Sequence, residues 1–410
     1  MKQSIHKSVL ENGLTIVTER MPYVRSVSLG IWVRAGSNTD SIDRMGMAHF
    51  IEHMLFKGTE SRSSFDIANE LEAVGGSINA YTSRCMTCYY AVVLDENIDI
   101  AIDVLSDMLT NSVIDKEEII REQSVVVEEI HSSEDIPEEL VQDVFADSVL
   151  NPLPESKAIL GTEKCVMSIT REEILSYIDD HYTPENIVIS AAGNIDHKIL
   201  VEKLTKVFSA KRAKKQINIP NVQEKNIKHQ IIEKDISQAH ICCGSKIFGF
   251  NDSRRMSLWI MSTILGGGMS SRLFQNIREK AGLAYSVYAF SELFQSDGLM
   301  ATYAATDAIN AENTLSLIMK EYSLLKTEMV EESTLNDAKS QLIGGLLLSQ
   351  DSSISRMNRL GKQEMFYQNY SDTADTILRI KAVSSKDIIE LSQDIFNSDK
   401  LITVTVTTSK

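Results

Sequence analysis

Between Met47 and Lys57 the apolar residues fall at Ala48, Ile51, Met54 and Leu55. That three-and-four spacing predicts a helix with one face against a core, and Gly58 supplies its stop. Ser63 or Ser64 can cap a second helix carrying Phe65, Ala68, Leu71 and Val74, which Gly75-Gly76 ends. The stretch Ser77 to Leu94 is rich in Ile, Tyr, Thr and Val, and predicts strands in a hairpin that turns near Ser83-Arg84. Tyr90-Ala-Val-Val-Leu followed by an acidic turn and Ile98 to Leu109 reads as strand, turn, helix. Asp115 then caps a Glu-rich helix on which Ile119, Val126 and Ile130 share one side.

The same order of elements returns later in the chain. Ala301-Thr-Tyr-Ala-Ala, Asp307 and Ala311 to Leu324 again read as strand, turn, helix. A chain of 410 residues, 43% of them apolar, has material for two or more cores. Residues 209–229 are polar, charged and weakly periodic, and read as a linker. The expectation is an α+β protein made of a duplicated half, with domains at 1–215 and 216–410. Sliding one half on the other by about 216 residues sets Leu265, Gly268, Met269 and Gly345 near the places of His49, Glu52, His53 and Glu129. Since no histidine follows His240, the second copy is expected to carry no metal.

Placed on a helix, His49-Phe-Ile-Glu52-His53 sets two imidazoles one turn apart on one face with a carboxylate between them. This is the inverse of the commoner His-Glu-x-x-His order for a hydrolytic zinc site. The ordinary alternative is a pair of satisfied core histidines, but two His and a Glu at ligand spacing outweigh it. Zinc hydrolases take a third protein ligand, and the Glu-rich helix offers candidates. Glu122 and Glu129 lie seven residues apart on the side that carries the apolar residues, where an unpaired carboxylate is costly and a metal would offset that cost.

Other features exclude more than they assign. Leu265-Gly-Gly-Gly lacks the Gly-Lys-Ser/Thr ending of a phosphate loop and is read as a turn. Cys85 and Cys88 have CxxC spacing, but residues three apart on a strand point to opposite faces. With Cys165, Cys242 and Cys243 they are expected to be five free thiols in a reducing compartment. A net charge of −16 argues against nucleic acid and suits basic peptides, although solubility accounts for it equally. No run approaches 18 apolar residues, so no membrane span is expected. The start Met1-Lys-Gln-Ser-Ile-His-Lys shows neither a signal-peptide core nor an Arg-rich presequence, which gives an expectation of a cytoplasmic bacterial protein.

His49-x-x-Glu-His53 followed by Glu129 resembles the inverted-zincin peptidases of the pitrilysin and mitochondrial processing peptidase superfamily. Asn12-Gly-Leu-Thr-Ile-Val, Phe56-Lys-Gly-Thr, Gly75-Gly-Ser-Ile-Asn79-Ala80-Tyr-Thr and Val125-Val-Val-Glu-Glu129-Ile are similar to its small processing-type branch. The resemblance implies that His49, His53 and Glu129 bind one zinc ion per chain, with Glu52 as general base and Glu122 supporting the site from an outer position. It implies that Asn79 and Ala80 pair with substrate as a strand edge, and that Arg278 and Tyr285 grip the substrate backbone from the second half. Two α/β halves, each a mainly antiparallel sheet covered by helices, would face each other across a substrate chamber. Cys85 stands where the family often carries an acid, and the loop Asn151 to Gly161 also differs from the family's shorter version. The activity implied is a zinc endopeptidase acting on extended peptides or unfolded protein segments, as a homodimer by analogy. The alternative is a non-catalytic structural or peptide-binding subunit, but relatives of that kind lose ligands that are all present here.

Overall fold

The computed structural model describes residues 5–208, 227–368 and 370–408. The stretch expected to link the halves therefore lies outside the described residues, except for its last three positions.

The first sheet has six strands: β1 (Ile5–Val9), β2 (Thr15–Arg20), β3 (Ser26–Val33), β4 (Ser77–Thr82), β5 (Thr87–Leu94) and β6 (Ile187–Gly193). Their order is β1-β2-β6-β3-β5-β4, and every pairing is antiparallel except that of β2 with β6. The second has five: β7 (His229–Glu233), β8 (Gln238–Phe248), β9 (Ala284–Leu293), β10 (Asp297–Asp307) and β11 (Ile402–Thr407), in the order β7-β11-β8-β10-β9. Here only β11 with β7 is parallel. The α+β class with two mainly antiparallel sheets is thus as the sequence led us to expect.

The expected hairpin is present, with Ser83 N–H donating to Met86 O across the turn and Asn79 opposite Tyr90. Its first strand, β4, is the edge of the sheet. Ser63 caps the helix Ser64–Glu72 in a reciprocal capping box with Asp66. That helix buries Ile67 and Leu71, whereas Phe65, expected on the core face, is 70% exposed. A buried face centred on Ile67 and Leu71 leaves Phe65, two residues before Ile67, on the far side of the helix.

Contacts divide the chain into two compact units that are not contiguous in sequence. As far as they are described, the first gathers Met1–Ile130, Lys157–Asn221 and Ser349–Tyr370, and the second His131–Ser156, Val222–Leu348 and Ser371–Lys410. The split thus departs from a single cut near residue 215, because each unit takes one helix from the other half of the sequence. In the first, the helix Ser353–Phe366 lies on β2, β3 and β6, where Met357 and Leu360 pack with Trp32, Met21 and Val17. Gly361 allows that approach, since a Cβ there would stand 2.1 Å from Trp32 Cε2. Trp32 Nε1 donates to Ser190 Oγ at 2.7 Å, and Ser190 Oγ to Met357 O at 3.0 Å, so the seam is also hydrogen-bonded. In the second, the helix Pro137–Leu150 lies on β8, β10 and β11.

The opposite face of each sheet carries further helices, all but the last of which the periodicity predicted. In the first unit Ile98–Asn111 and Lys116–Asp135 follow the hairpin; in the second Ala311–Thr327 and Glu332–Leu348 follow β10. The shift of 216 residues fits these pairs but not the histidine helix. β3 is separated from Met47–Met54 by thirteen residues (34–46), and β8 from Arg255–Gly266 by six (249–254). Gly268 and Met269, paired by that shift with Glu52 and His53, consequently lie past the end of their helix in a turn. The difference in loop length is what breaks the uniform shift.

Candidate metal centre

The helix Met47–Met54 buries Met47, Ala48, Phe50, Ile51 and Met54 in the first core, which fixes its roll. Its N-terminus is held by Asp40, whose two carboxylate oxygens accept from Gly46 N (2.9 Å) and Ala48 N (3.1 Å). Gly46 adopts φ +92 there, a conformation that favours glycine. Asp40 is fully buried; burial pushes its carboxyl up to about 7, against the two N–H donors and Lys157, which pull it down. Lys157 is itself buried and donates to Asn38 O (3.0 Å) and Asp40 O (2.5 Å). The loop Asn151 to Gly161 thus backs the start of the histidine helix, a role its sequence did not suggest.

With the helix so placed, His49 Nε2 and His53 Nε2 stand 3.2 Å apart. Glu129, two turns beyond Glu122 on the helix Lys116–Asp135, brings Oε2 to 3.7 Å from the first and 3.6 Å from the second. His49 and His53 are the pair that spacing singled out, and Glu129 is the one of the two candidate acids that the resemblance implied; among the described residues they form the group of three whose donor atoms all lie within 4.8 Å of one another. The edge of a tetrahedron around zinc is roughly 3.4 Å for bonds of ~2.1 Å, so two nitrogens and one carboxylate oxygen at these separations fit that ion. His49 is 8% exposed, His53 23% and Glu129 44%, which leaves the cluster reachable from the Glu129 side. Burial, with His53 alongside, pushes His49 down to about 3, so its ring is neutral at physiological pH and able to act as a ligand.

Glu122 does not join the three. Its Oε1 lies 2.7 Å from His53 Nδ1 and its Oε2 2.5 Å from Lys57 Nζ. Burial alone would raise Glu122, but the contacts with His53 and Lys57 outweigh it and hold the carboxyl below its ordinary value. An ionised carboxylate can only accept, so His53 Nδ1 carries the proton and Nε2 presents its lone pair to the cluster. His53 is raised: burial acts downward, and its hydrogen bond to Glu122 and the nearby acids more than reverse it.

Glu52 accepts a 2.5 Å hydrogen bond from Thr82 Oγ1, at the end of β4. Burial raises its carboxyl despite Thr82 and His53 acting the other way. Ala80 and Thr82 point to the face of the sheet on which the histidine helix lies, while exposed Asn79 points away and its Oδ1 accepts from Ala80 N. Lys57, Thr82, Asp40 and Lys157 were not picked out by sequence. Lys57 four residues after His53, and Thr82 two after Ala80, were the only signals available.

Arg278 and Tyr285 belong to the second unit and pack on each other. Arg278 lies in the π-helix Phe274–Lys280, its guanidinium 4.7 Å from the Phe274 ring centre and 4.5 Å from that of Tyr285, and it donates to Tyr285 O at 2.6 Å. The Tyr285 side is 77% exposed. None of the five cysteines is in a disulfide.

The family model described as insulinase (peptidase family M16) matches residues 15–163, and that described as the peptidase M16 inactive domain matches 168–342. The chain belongs to the M16 peptidase family. M16 relatives include the Bacillus subtilis protein named uncharacterized zinc protease YmxG, 36% identical with 96% of each chain covered. A Rickettsia felis protein, also named an uncharacterized zinc protease, is 37% identical over 97% of this chain and 96% of its own. The fold is similar to that of a protease from Helicobacter pylori, at a TM-score of 0.92, 20% identity and 99% coverage of both chains. A putative M16-like peptidase from Alicyclobacillus acidocaldarius gives 0.86 at 20% identity, with 100% of this chain and 99% of that one covered. The two M16 matches meet between residues 163 and 168, so the clustered His49, His53 and Glu129, and Glu52 with them, all fall in the first. No helix among the described residues is long and apolar enough to cross a membrane.

Proposed function

We propose that this chain is a zinc endopeptidase that hydrolyses extended peptides or unfolded protein segments. The observation that carries the reading is the convergence of His49 Nε2, His53 Nε2 and Glu129 Oε2 beside the Thr82-held carboxylate of Glu52. His49, His53 and Glu129 would hold one zinc ion, whose Lewis acidity acidifies water and polarises a carbonyl. Glu52 takes the proton from the attacking water as the carbon–oxygen bond forms, then gives it to the amide nitrogen as the carbon–nitrogen bond breaks. Its burial favours holding that proton between the two events. Glu122 orients His53 from behind.

Because β4 is a sheet edge, a peptide can add to it as a further strand, with Asn79 and Ala80 among the residues it meets. Main-chain pairing makes that recognition tolerant of sequence. Arg278 and Tyr285 are the side chains we assign to the substrate backbone, by resemblance to the family and because the guanidinium is already stacked between two rings. A cytoplasmic homodimer is the form we propose, the dimer by analogy with the family alone.

Glu52→Gln is expected to keep its zinc, read by elemental analysis, and to lose on the order of 10²–10⁴ in turnover of a peptide library. Wild-type hydrolysis by that variant would refute the assignment. Arg278→Ala is expected to raise KM with zinc content unchanged, and loss of metal in step with activity would show that the residue is misassigned.

A further inference from the structure

The turn after the histidine helix places a lysine where neither spacing nor the chemistry above requires one. Phe56 N and Lys57 N donate to His53 O and Met54 O, both at 3.1 Å, folding the chain back under the helix end. Gly58 follows at φ +124, and its carbonyl accepts from Val113 N and Ser112 Oγ, both at 3.3 Å. Glu60 N donates to Asn111 O at 3.1 Å. The turn is thereby pinned to the segment that leads into the helix of Glu122, and the pinning brings Lys57 Nζ to 2.5 Å from Glu122 Oε2.

Glu122 is 3% exposed, so this is no surface ion pair of small consequence. Its two oxygens are divided between two donors, Oε1 accepting from His53 Nδ1 and Oε2 from Lys57. A buried carboxylate with one oxygen left unpartnered is costly and turns toward whatever donor it can reach. Anchoring Oε2 therefore determines the direction of Oε1, and through it the plane and tautomer of the His53 ring.

We propose that Lys57 is a positioning residue for metal capture: by fixing the Glu122 carboxylate it holds His53 with Nε2 aimed at the cluster. This rests on the reading that His49, His53 and Glu129 hold the metal. Lys57 is not one of the three clustered donors. Its effect passes through Glu122, which distinguishes it from a residue that merely stabilises the turn.

The test is the affinity of the full chain for zinc ion alone, by competition with a chromophoric chelator, in wild type, Lys57→Met, Lys57→Gln, Lys57→Arg, Glu122→Gln, His53→Ala and the double variant Lys57→Met/Glu122→Gln. Lys57→Met and Lys57→Gln are expected to weaken zinc binding by roughly 10–100-fold, as loss of an outer-shell partner does, and Lys57→Arg by much less. The double variant is expected to bind no more weakly than Glu122→Gln. Nitrogen NMR of the metal-free protein, at a pH high enough to leave the His53 ring neutral, should report the Nδ1–H tautomer of His53 in wild type and a mixture in Lys57→Met. If either neutral variant folds and binds zinc as wild type does while His53→Ala does not, the proposal is overturned. It is overturned equally if Lys57→Met adds its full loss on top of Glu122→Gln. Unchanged affinity in His53→Ala would instead overturn the metal-site reading.

Discussion

Glu52 and Thr82 show how much of a buried carboxylate's behaviour is set by one neighbour. The carboxylate is largely buried, and a lone hydroxyl on the sheet edge accounts for its orientation. Thr82→Val keeps the shape and removes the donor. We expect it to lower kcat roughly tenfold, a fraction of what general-base catalysis supplies, with zinc content unchanged. Steady-state kinetics beside metal analysis checks this, and an unaltered kcat would remove Thr82 from the account. At this scale the sequence was legible wherever spacing along a helix sufficed. His49, Glu52 and His53 lie within five residues, and Glu122 and Glu129 lie two turns apart. Asp40, Lys57 and Lys157 were not legible, because a buried cap or a buried counter-ion looks like any solvated charge until its surroundings are known.

The elements around the site depend on a few close contacts. The Thr59–Arg62 loop that follows the histidine helix is tied to Asp107 on the helix Ile98–Asn111 by bonds from Thr59 (2.6 Å), Ser61 (2.9 Å) and Arg62 (2.8 Å). Burial would raise Asp107, but hydrogen bonds from Thr59, Asn111, Arg62 and Ser61 prevail and hold it at about 2. A carboxyl depressed by folding adds stability above its unfolded value of about 4, and that stability is lost as pH falls through the folded value. Asp107→Asn should therefore cost roughly 2 kcal/mol at pH 7, with the difference from wild type shrinking as pH falls from 4 toward 2. Urea unfolding across that range checks the sign, and a difference independent of pH would contradict it. The seam under the helix Ser353–Phe366 is as demanding. Gly361→Ala would drive a methyl into Trp32, and we expect a loss of about 1–3 kcal/mol in the same measurement. Phe65 is the instructive miss among the elements: helical periodicity was right, but which residues of a helix meet the core depends on where its partner lies.

For the whole molecule, the exchange of helices between the two units matters most. Val17, Met21, Trp32, Val188 and Ala192 are covered by Met357, Leu360 and Met365, which come from the far end of the chain. A fragment ending at residue 208 would leave that apolar face open to water. We expect it to bind a hydrophobic dye and to aggregate, and the same fragment fused to residues 349–370 to be soluble with a cooperative thermal transition. A monodisperse, cooperatively folded 1–208 fragment would show that the exchanged helix is dispensable. By itself the sequence determined the α+β class, the duplicated order of elements and which side chains could hold a metal, because these follow from periodicity and from spacing within single helices. The division of roles between Glu129 and Glu122 and the strand edge at Asn79 and Ala80 were expected from the family resemblance and not from spacing; the tertiary structure brings Glu129 to both imidazoles with Glu122 behind one, makes β4 an edge, and alone decided that residues 131–156 and 349–370 join units built mainly from the other half of the sequence. Each of these depends on contacts between segments distant in the chain, for which local hydrophobic pattern carries no information.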